Sequence, residues 1–322
     1  MKSDYSHLRP SLRKKIEHSI EIIKKAEQLS LTYDPENGFF LAFSGGKDSQ
    51  CLYHVAQLAG VKFKAHFSPT SVDPPEVIRF IRRSYPDVEI AKIKQSIYKT
   101  AIKKHIMPTQ IIRWCCQIYK ESAGAGKVTL IGIRHAESSK RAKRSEFEVS
   151  GHKFSGSFDE FQIWQRKEIE KAKKSLKNVN QDQFSMDKET EIRCINGKDS
   201  IIVSPIIDWS EEDVWSFLNG MEIEHCELYD RGYRRIGRIL CPMASRGQKI
   251  KEARDYPHVK RNWIKTIKEL YRLGYFGKEQ GWGAVNEDEI AENIFDYWLS
   301  GVNYKQWYSE KFQQLKLFDN GQ

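Results

Sequence analysis

Apolar residues recur at Leu12, Ile16, Ile20, Ile23, Ala26 and Leu29, with lysines and glutamates between them. That spacing predicts an amphipathic helix over residues 9–30, covering one edge of a sheet. The apolar runs 38–43 and 61–67 read as strands. Between them Cys51, Leu52, Val55, Ala56 and Leu58 fall at helical spacing, which makes a β-α-β unit. Pro74 and Pro75 open another helix, with Val77, Ile78, Phe80 and Ile81 on its apolar face. Residues 88–93 form a weaker strand. Residues 128–133 form a stronger one, a short apolar run of the kind covered on both faces. Ile201, Ile202 and Val203 are a further strand, and Ser210 caps a helix that carries Glu211, Glu212 and Asp213 in its first turn. This alternation predicts an α/β fold with a doubly wound, mostly parallel, Rossmann-like sheet and its ligand beyond the carboxyl ends of the strands.

Residues 138–200 break the pattern. They are rich in Lys, Ser, Gln and Asn, with one helical stretch around Phe161–Leu176, and read as a partly mobile insertion. Their basic start, Lys140 to Arg144, is either a phosphate contact or a solvated charged face. Beyond Arg254 the chain is helical, with Trp263, Ile264, Ile267, Leu270 and Tyr271 on one face, and Trp298, Trp307 and Phe312 suited to docking it. The expected organisation is a nucleotide-binding α/β domain over residues 1–250, including the N-terminal helix and the insertion, and a packed helical region over 251–322.

Six residues between the first strand and its helix add the chemistry: Ser44, Gly45, Gly46, Lys47, Asp48 and Ser49. Two glycines admit an anion close to the backbone, the helix start offers amides and the positive end of a dipole, and Lys47 adds charge. The spacing is not that of a Walker A loop. A formal charge of +10 over 322 residues favours an anionic partner, nucleotide or nucleic acid. No run approaches the roughly 18 apolar residues of a membrane span, and the polar N-terminus lacks a signal-peptide core, so a cytoplasmic protein with no membrane partner is expected. Six cysteines in such a chain point to thiols or metal ligands more than to disulfides. Cys115 and Cys116 are adjacent, with Cys241 as their natural distant partner, whereas Cys51 reads as packing and Cys194 has no assigned role.

The loop resembles the SGGxDS pyrophosphate loop of the adenine nucleotide alpha-hydrolase superfamily, whose members split ATP between its α and β phosphates. Arg113 to Lys120 resembles the Cys-Cys element of sulfonucleotide reductases and their relatives, and Tyr233 to Met243 their later Cys-x-x-Cys element. Together these place the chain near the phosphoadenosine phosphosulfate reductase family. In such proteins the four thiolates bind a [4Fe-4S] cluster, but Arg238 stands where the third would be. That leaves no cluster, a cluster with an open iron, or a ligand set of Cys115, Cys116, Cys241 and a substitute, Cys226. Residues 68–76 match a substrate-side loop, which implicates Asp73. Residues 132–138 match a Gly-x-Arg-x-x-Glu-Ser element, in which Arg134 would fork onto phosphate with Glu137 orienting it, and His135 reads as inert. Residues 204–215 match a segment that is chiefly a helix start and packing signature.

The resemblance implies a site in which Lys47 and Asp48 are catalytic, while Ser44, Gly45, Gly46, Ser49, Asp73 and Arg134 hold the nucleotide, with ATP and Mg2+ bound. Assimilatory reductases of the family use a cysteine in a C-terminal Glu-Cys-Gly-type motif, and no cysteine follows Cys241 here. The expectation is therefore an ATP pyrophosphatase that adenylates an acceptor oxygen for sulfur incorporation. Relatives of that type serve DNA phosphorothioate modification, with DNA and a cysteine desulfurase or other modification-complex proteins as partners. The alternatives are a sulfonucleotide reductase-like enzyme, a tRNA sulfurtransferase, and a non-catalytic nucleotide-binding subunit.

Overall fold

The computed structural model describes residues 4–121, 123–177, 199–277, 281–284 and 286–319. Cys194 lies outside them. By backbone packing the chain forms two compact units with interleaved segments: Met1–Ser68, Arg79–Ala91 and Glu121–Asp230 in the first, and Pro69–Ile78, Lys92–Lys120 and Arg231–Gln322 in the second. Cys115, Cys116 and Cys241, which the sequence pattern groups with the nucleotide-binding part, cluster with the C-terminal helices.

The first unit is built on a seven-stranded sheet. Its strands are β1 (Phe39–Phe43), β2 (Phe63–Phe67), β3 (Glu89–Ile90), β4 (Val128–Leu130), β5 (Phe147–Val149), β6 (Phe154–Gly156) and β7 (Ile201–Val203), in the order β3-β2-β1-β4-β7-β5-β6. The first five positions of that order are parallel, and β5 and β6 add an antiparallel edge. This is the doubly wound fold expected, with one addition. Residues 147–156, assigned above to the insertion, pair into the sheet, because Phe147 and Val149 alternate inward with the exposed-side Glu148 between them. Their short length and the charged context hide that alternation in sequence.

Helix α1 (Pro10–Tyr33) begins with Pro10 in its first turn and buries Leu12, Ile16, Ile22, Ile23 and Ala26. It packs on α2 (Lys47–Ala59), on α6 (Phe158–Lys177) and on strands β1 and β4. Because β1 and β4 are central, α1 covers the middle of a sheet face and not an edge as expected. Each buried aliphatic side chain there contributes about 1.5 to 3 kcal/mol. Helix α7 (Glu211–Gly220) packs on α2 and starts with a full capping box, Ser210 accepting from the Asp213 amide and Asp213 from the Ser210 amide. Chain reversal between β1 and its two neighbours, β2 on one side and β4 on the other, makes a topological switch point, where such sheets bind ligands.

In the second unit α4 (Ile97–Lys104) packs on α9 (Pro257–Arg272), which packs in turn on α8 (Arg246–Asp255) and α10 (Glu287–Ser300). Trp263 lies 5.3 Å from Trp298 between ring centroids, and the Trp298 indole donates to Pro108 O at 2.7 Å. Trp307, on α11 (Tyr304–Asp319), packs against Trp282 and Tyr297. The expected apolar face of the tail therefore docks within this unit. The remaining helices are α3 (Pro75–Ser84) and the one-turn α5 (Trp114–Cys116).

Asp213 anchors the N-terminal helix. Its carboxylate accepts from Lys15 Nζ at 2.6 Å, Arg9 Nη2 at 2.5 Å and Ser210 N at 2.8 Å. Burial alone would raise its pKa, but these hydrogen bonds outweigh it and pull the group from 3.8 down to about 2. Stability from this ionised group is complete above about pH 3.8 and is lost as pH falls through about 2. Asp213→Asn is expected to lower stability at neutral pH by roughly 1 to 2 kcal/mol and to flatten the loss between pH 4 and 2, read by urea denaturation across pH.

Candidate functional site

The loop 44–49 leaves β1 at the switch point and turns straight into α2. Gly45 has φ +71°, a left-handed conformation that a side chain would strain, so the turn requires glycine. Ser49 Oγ locks the turn by donating to Gly46 O at 2.8 Å and accepting from Ser44 N at 3.1 Å. From the other side of the switch point, Gly132 after β4 lies so near that a Cβ there would meet Asp48 O at 2.8 Å. The two crossovers touch because that residue has no side chain.

Arg134 follows two residues later and is 2% exposed. Its Nε donates to Asp48 Oδ1 at 2.7 Å, Nη1 to Trp209 O at 3.2 Å and Nη2 to Glu211 Oε2 at 2.8 Å. The guanidinium is thus spent on the protein, holding Asp48 and Glu211, where the sequence reading placed it on phosphate. Desolvation works against the charge of Arg134, but the Asp48 and Glu211 carboxylates outweigh it and raise its pKa. Glu137 does not orient that side chain: it accepts from the Arg134 amide at 3.0 Å and pairs with Arg141. Glu211, in a segment read as packing only, does the work assigned to Glu137.

Lys47 is 4% exposed, with Nζ 3.4 Å from Glu211 Oε1 and 3.6 Å from Asp48 Oδ2. Its amide, at the start of α2, donates to the Tyr229 hydroxyl at 2.8 Å. Burial raises the Tyr229 pKa well above that of free tyrosine, so the phenol is neutral and keeps its own proton to donate. Tyr229 has no sequence signal beyond a tyrosine after a turn. The turn itself is closed by Tyr229 N on Cys226 O at 3.0 Å. Lys47, Asp48, Arg134 and Glu211 therefore form one network of two cations and two carboxylates under the glycine loop.

Asp73, in the second unit, accepts from Thr70 Oγ1 at 3.0 Å and from the Thr70 amide, closing its own turn. His135 is not inert structurally: Nδ1 lies 2.9 Å from Asp208 Oδ1 and Nε2 2.8 Å from Arg144 O. The basic run 140–144 is partly neutralised within the chain, Arg141 by Glu137 and Arg144 by Glu148. Cys51 packs as expected, wholly buried.

The thiols do not assemble as a cluster site. In the second unit Arg238 Nη2 donates to Cys116 Sγ at 3.0 Å and to Cys241 Sγ at 3.9 Å, so a guanidinium occupies the space between these sulfurs. Cys226 belongs to the first unit. Among the described residues no group of three or more His, Cys, Asp or Glu side chains is arranged to hold a metal ion. A [4Fe-4S] cubane wants four thiolates, and these residues do not fit it. Cys115 donates to Cys116, which together with Arg238 and Arg113 holds the Cys116 thiol below the usual thiol range, while Cys115 is pushed up.

A mostly parallel sheet with a glycine turn over a buried cation–carboxylate network at its switch point defines a nucleotide-binding α/β protein. The chain belongs to the phosphoadenosine phosphosulfate reductase domain family, which it matches over residues 38–244. An uncharacterised protein of Methanocaldococcus jannaschii is 25% identical over 279 residues, covering 86% of this chain and 55% of that protein. A probable FAD synthase of Schizosaccharomyces pombe is 24% identical over 250 residues, covering 74% of each. A Staphylococcus epidermidis adenosine 5'-phosphosulfate reductase is 45% identical over 42 residues, 13% of this chain and 17% of that one. The chain spans 55% and 43% of the length of the two M. jannaschii proteins it matches. Among solved structures, a phosphoadenylyl-sulfate reductase from Candida auris aligns with TM-score 0.40 and 16% identity over 74% of this chain and 97% of that chain. The U34-tRNA thiolase NcsA of Methanococcus maripaludis with its [4Fe-4S] cluster gives 0.34 and 12% over 90% and 82%. The coarse reading, a nucleotide-binding enzyme family, stands. Among the described residues no helix is long and apolar enough to cross a membrane.

Arg134→Ala would leave Asp48 without its buried partner. The expected cost is about 3 to 5 kcal/mol of unfolding free energy, measured by chemical denaturation. Arg134→Lys should recover only part of it, because an ammonium cannot fork between Asp48 and Glu211.

Proposed function

We propose that the protein is an ATP pyrophosphatase that adenylates an acceptor oxygen for sulfur incorporation in DNA phosphorothioate modification. The observation that carries the ATP reading is the buried Lys47 beneath the glycine turn, held by two carboxylates that are themselves fixed by Arg134. Pyrophosphate is received by the loop amides and by Lys47, with the Tyr229 proton as a further donor. Asp48 and Glu211 would hold Mg2+, which supplies neutralisation of the phosphate charge when bound; one or two carboxylates plus phosphate oxygens are its usual ligands. An acceptor oxygen attacks the α-phosphorus, the bond to the bridging oxygen breaks, and pyrophosphate leaves into the loop. Fixed donors at the leaving group cost no reorganisation as charge develops there. Sulfur then displaces AMP from the adenylated acceptor.

The basic charge supports DNA as that acceptor. Residues 92–120 contain six lysines and one arginine and no Asp or Glu. Lys92, Lys94, Lys99, Lys103 and Lys104 are exposed and have no carboxylate partner among the described residues. Uncompensated surface cations of this kind neutralise backbone phosphates and release counterions. The sulfur donor would be a cysteine desulfurase or another protein of a modification complex.

ATP labelled at the α-phosphate, with Mg2+ and duplex DNA, should yield labelled AMP and free pyrophosphate, and Lys47→Ala should reduce the rate by a factor of about 100 or more. Absence of both products with DNA, tRNA and small acceptors alike overturns the enzyme reading. The triple change Lys99→Ala, Lys103→Ala, Lys104→Ala should weaken duplex DNA binding and reduce its salt dependence by a slope of about 2 to 3, with ATP affinity unchanged. Retention of the wild-type salt slope removes this surface from the DNA reading.

A further inference from the structure

Three thiols and one buried arginine in the second unit are left without a role once the cluster is set aside. Arg238 is 7% exposed, and only its Nη2 is used, on Cys116 and Cys241. Its Nη1 is buried with no hydrogen-bond partner. An unused guanidinium N–H inside a protein is unfavourable, so an acceptor atom brought beside it would be stabilised. Cys116 Sγ accepts from Arg238 and, at 3.6 Å, from Arg113 Nη2, so two guanidinium groups converge on one sulfur. Lys249, also buried, stands near enough to Cys241 for their charges to interact.

The backbone just before Cys241 adopts a left-handed turn. Leu240 has φ +56°, and its amide is held by the buried Glu252 carboxylate at 2.6 Å. A non-glycine residue in the left-handed region is strained, and the residue that follows it, Cys241, has its Sγ 3.9 Å from Arg238 Nη2. Cys241 alone of the three thiols is partly exposed, which gives the site an approach from solvent.

We infer that this is a sulfur-holding site in which Cys116 carries a sulfane sulfur as a persulfide and Arg238 Nη1 takes up the terminal sulfur. The loading step is a thiol exchange with a persulfide donor, R–S–SH. The Cys116 sulfur attacks the outer sulfur of the donor, a bond forms between them, and the R–S to sulfur bond breaks with its electron pair leaving on R–S. The proton of the outer sulfur passes to the R–S leaving group, giving R–SH and a Cys116 persulfide anion. One S–S bond replaces another, so no external oxidant or reductant is needed. A terminal sulfur bearing negative charge is the acceptor that the idle Nη1 lacks. The inference rests on the sulfur-transfer reading above for the use of the sulfur, not for its loading.

Full-length protein incubated with glutathione persulfide, without ATP, then alkylated and digested, should show a mass gain of about 32 Da, one sulfur atom, assigned by fragmentation to Cys116. Cys116→Ser should abolish it. Arg238→Ala should reduce it at least tenfold and Arg238→Lys less, with thermal melting confirming that each variant is folded. Anaerobic reconstitution with iron and sulfide should leave the wild type without a cluster absorbance, while Arg238→Cys, which supplies a further thiolate, should gain iron. Sulfur placed equally on Cys51 and Cys226, or on Cys241 with Cys116 unmodified, overturns the proposal. So does wild-type loading in Arg238→Ala, or stoichiometric iron in the wild type. Loading without pyrophosphate release from ATP would count against the adenylation reading alone, and the reverse against this inference alone.

Discussion

The buried guanidinium of Arg134 is the contact on which the nucleotide site depends. It is nearly free of solvent, and its three nitrogens reach two other chain segments: Asp48 at the start of α2, and Trp209 O and Glu211 at the start of α7. A charge taken this far from water is tolerable only when every donor is met, and each partner here is aimed by backbone that the fold fixes anyway. Asp48 and Glu211 in turn bracket the Lys47 ammonium. The Lys47 ammonium is therefore positioned through a chain of opposite charges that starts four residues beyond β4. Such a network resists rearrangement, because moving one carboxylate strands a buried positive charge.

The same arrangement explains why helix α7 starts where it does. Ser210 and Asp213 cap each other, Asp213 also ties down Arg9 and Lys15 of the N-terminal segment, and Glu211 faces the site. Three acidic residues at a helix start complement its dipole in any protein. Here all three are also shared outside the helix, Glu211 with the site and Glu212 and Asp213 with the N-terminal segment. A helix-cap pattern and a functional pattern occupy the same four residues, and that overlap is why residues 204–215 read as packing alone.

Strands β1, β2 and β7 and helices α1, α2 and α7 were legible because their apolar positions repeat over several turns or form runs flanked by glycine and serine. The Ser44–Ser49 loop was legible because glycine at Gly45 is demanded by backbone geometry. The β5–β6 hairpin was not: at three residues each its strands are too short to display a period, and their pairing with β7 is made by partners about 50 residues away. The partners of Arg134 were misassigned for a related reason. Glu137 is the near carboxylate in sequence and takes the near amide, whereas the guanidinium reaches Asp48 and Glu211, 86 and 77 residues off. Tyr229 sits 182 residues from the amide it caps, with no motif around it.

The thiols show the opposite failure, in which a pattern is recognisable and one residue changes its chemistry. Cys116 and Cys241 are brought to one side chain, the Arg238 guanidinium, and Cys115 is hydrogen-bonded to Cys116, without forming a metal site among the described residues. Substituting arginine for a thiolate at Arg238 reverses the sign of the charge at that corner. A cubane with thiolate ligands is anionic and would tolerate a nearby cation, but it cannot share the volume between Cys116 and Cys241 that the guanidinium fills. What a guanidinium among thiols does favour is a sulfur anion, since it hydrogen-bonds to the charged form and leaves the neutral thiol unsupported. With Nη1 idle, Arg238 has one more such bond to give than the protein itself uses. A buried donor left unpaired by the chain's own atoms costs free energy, and a charged sulfur carried on Cys116 is an acceptor of the kind that would offset it.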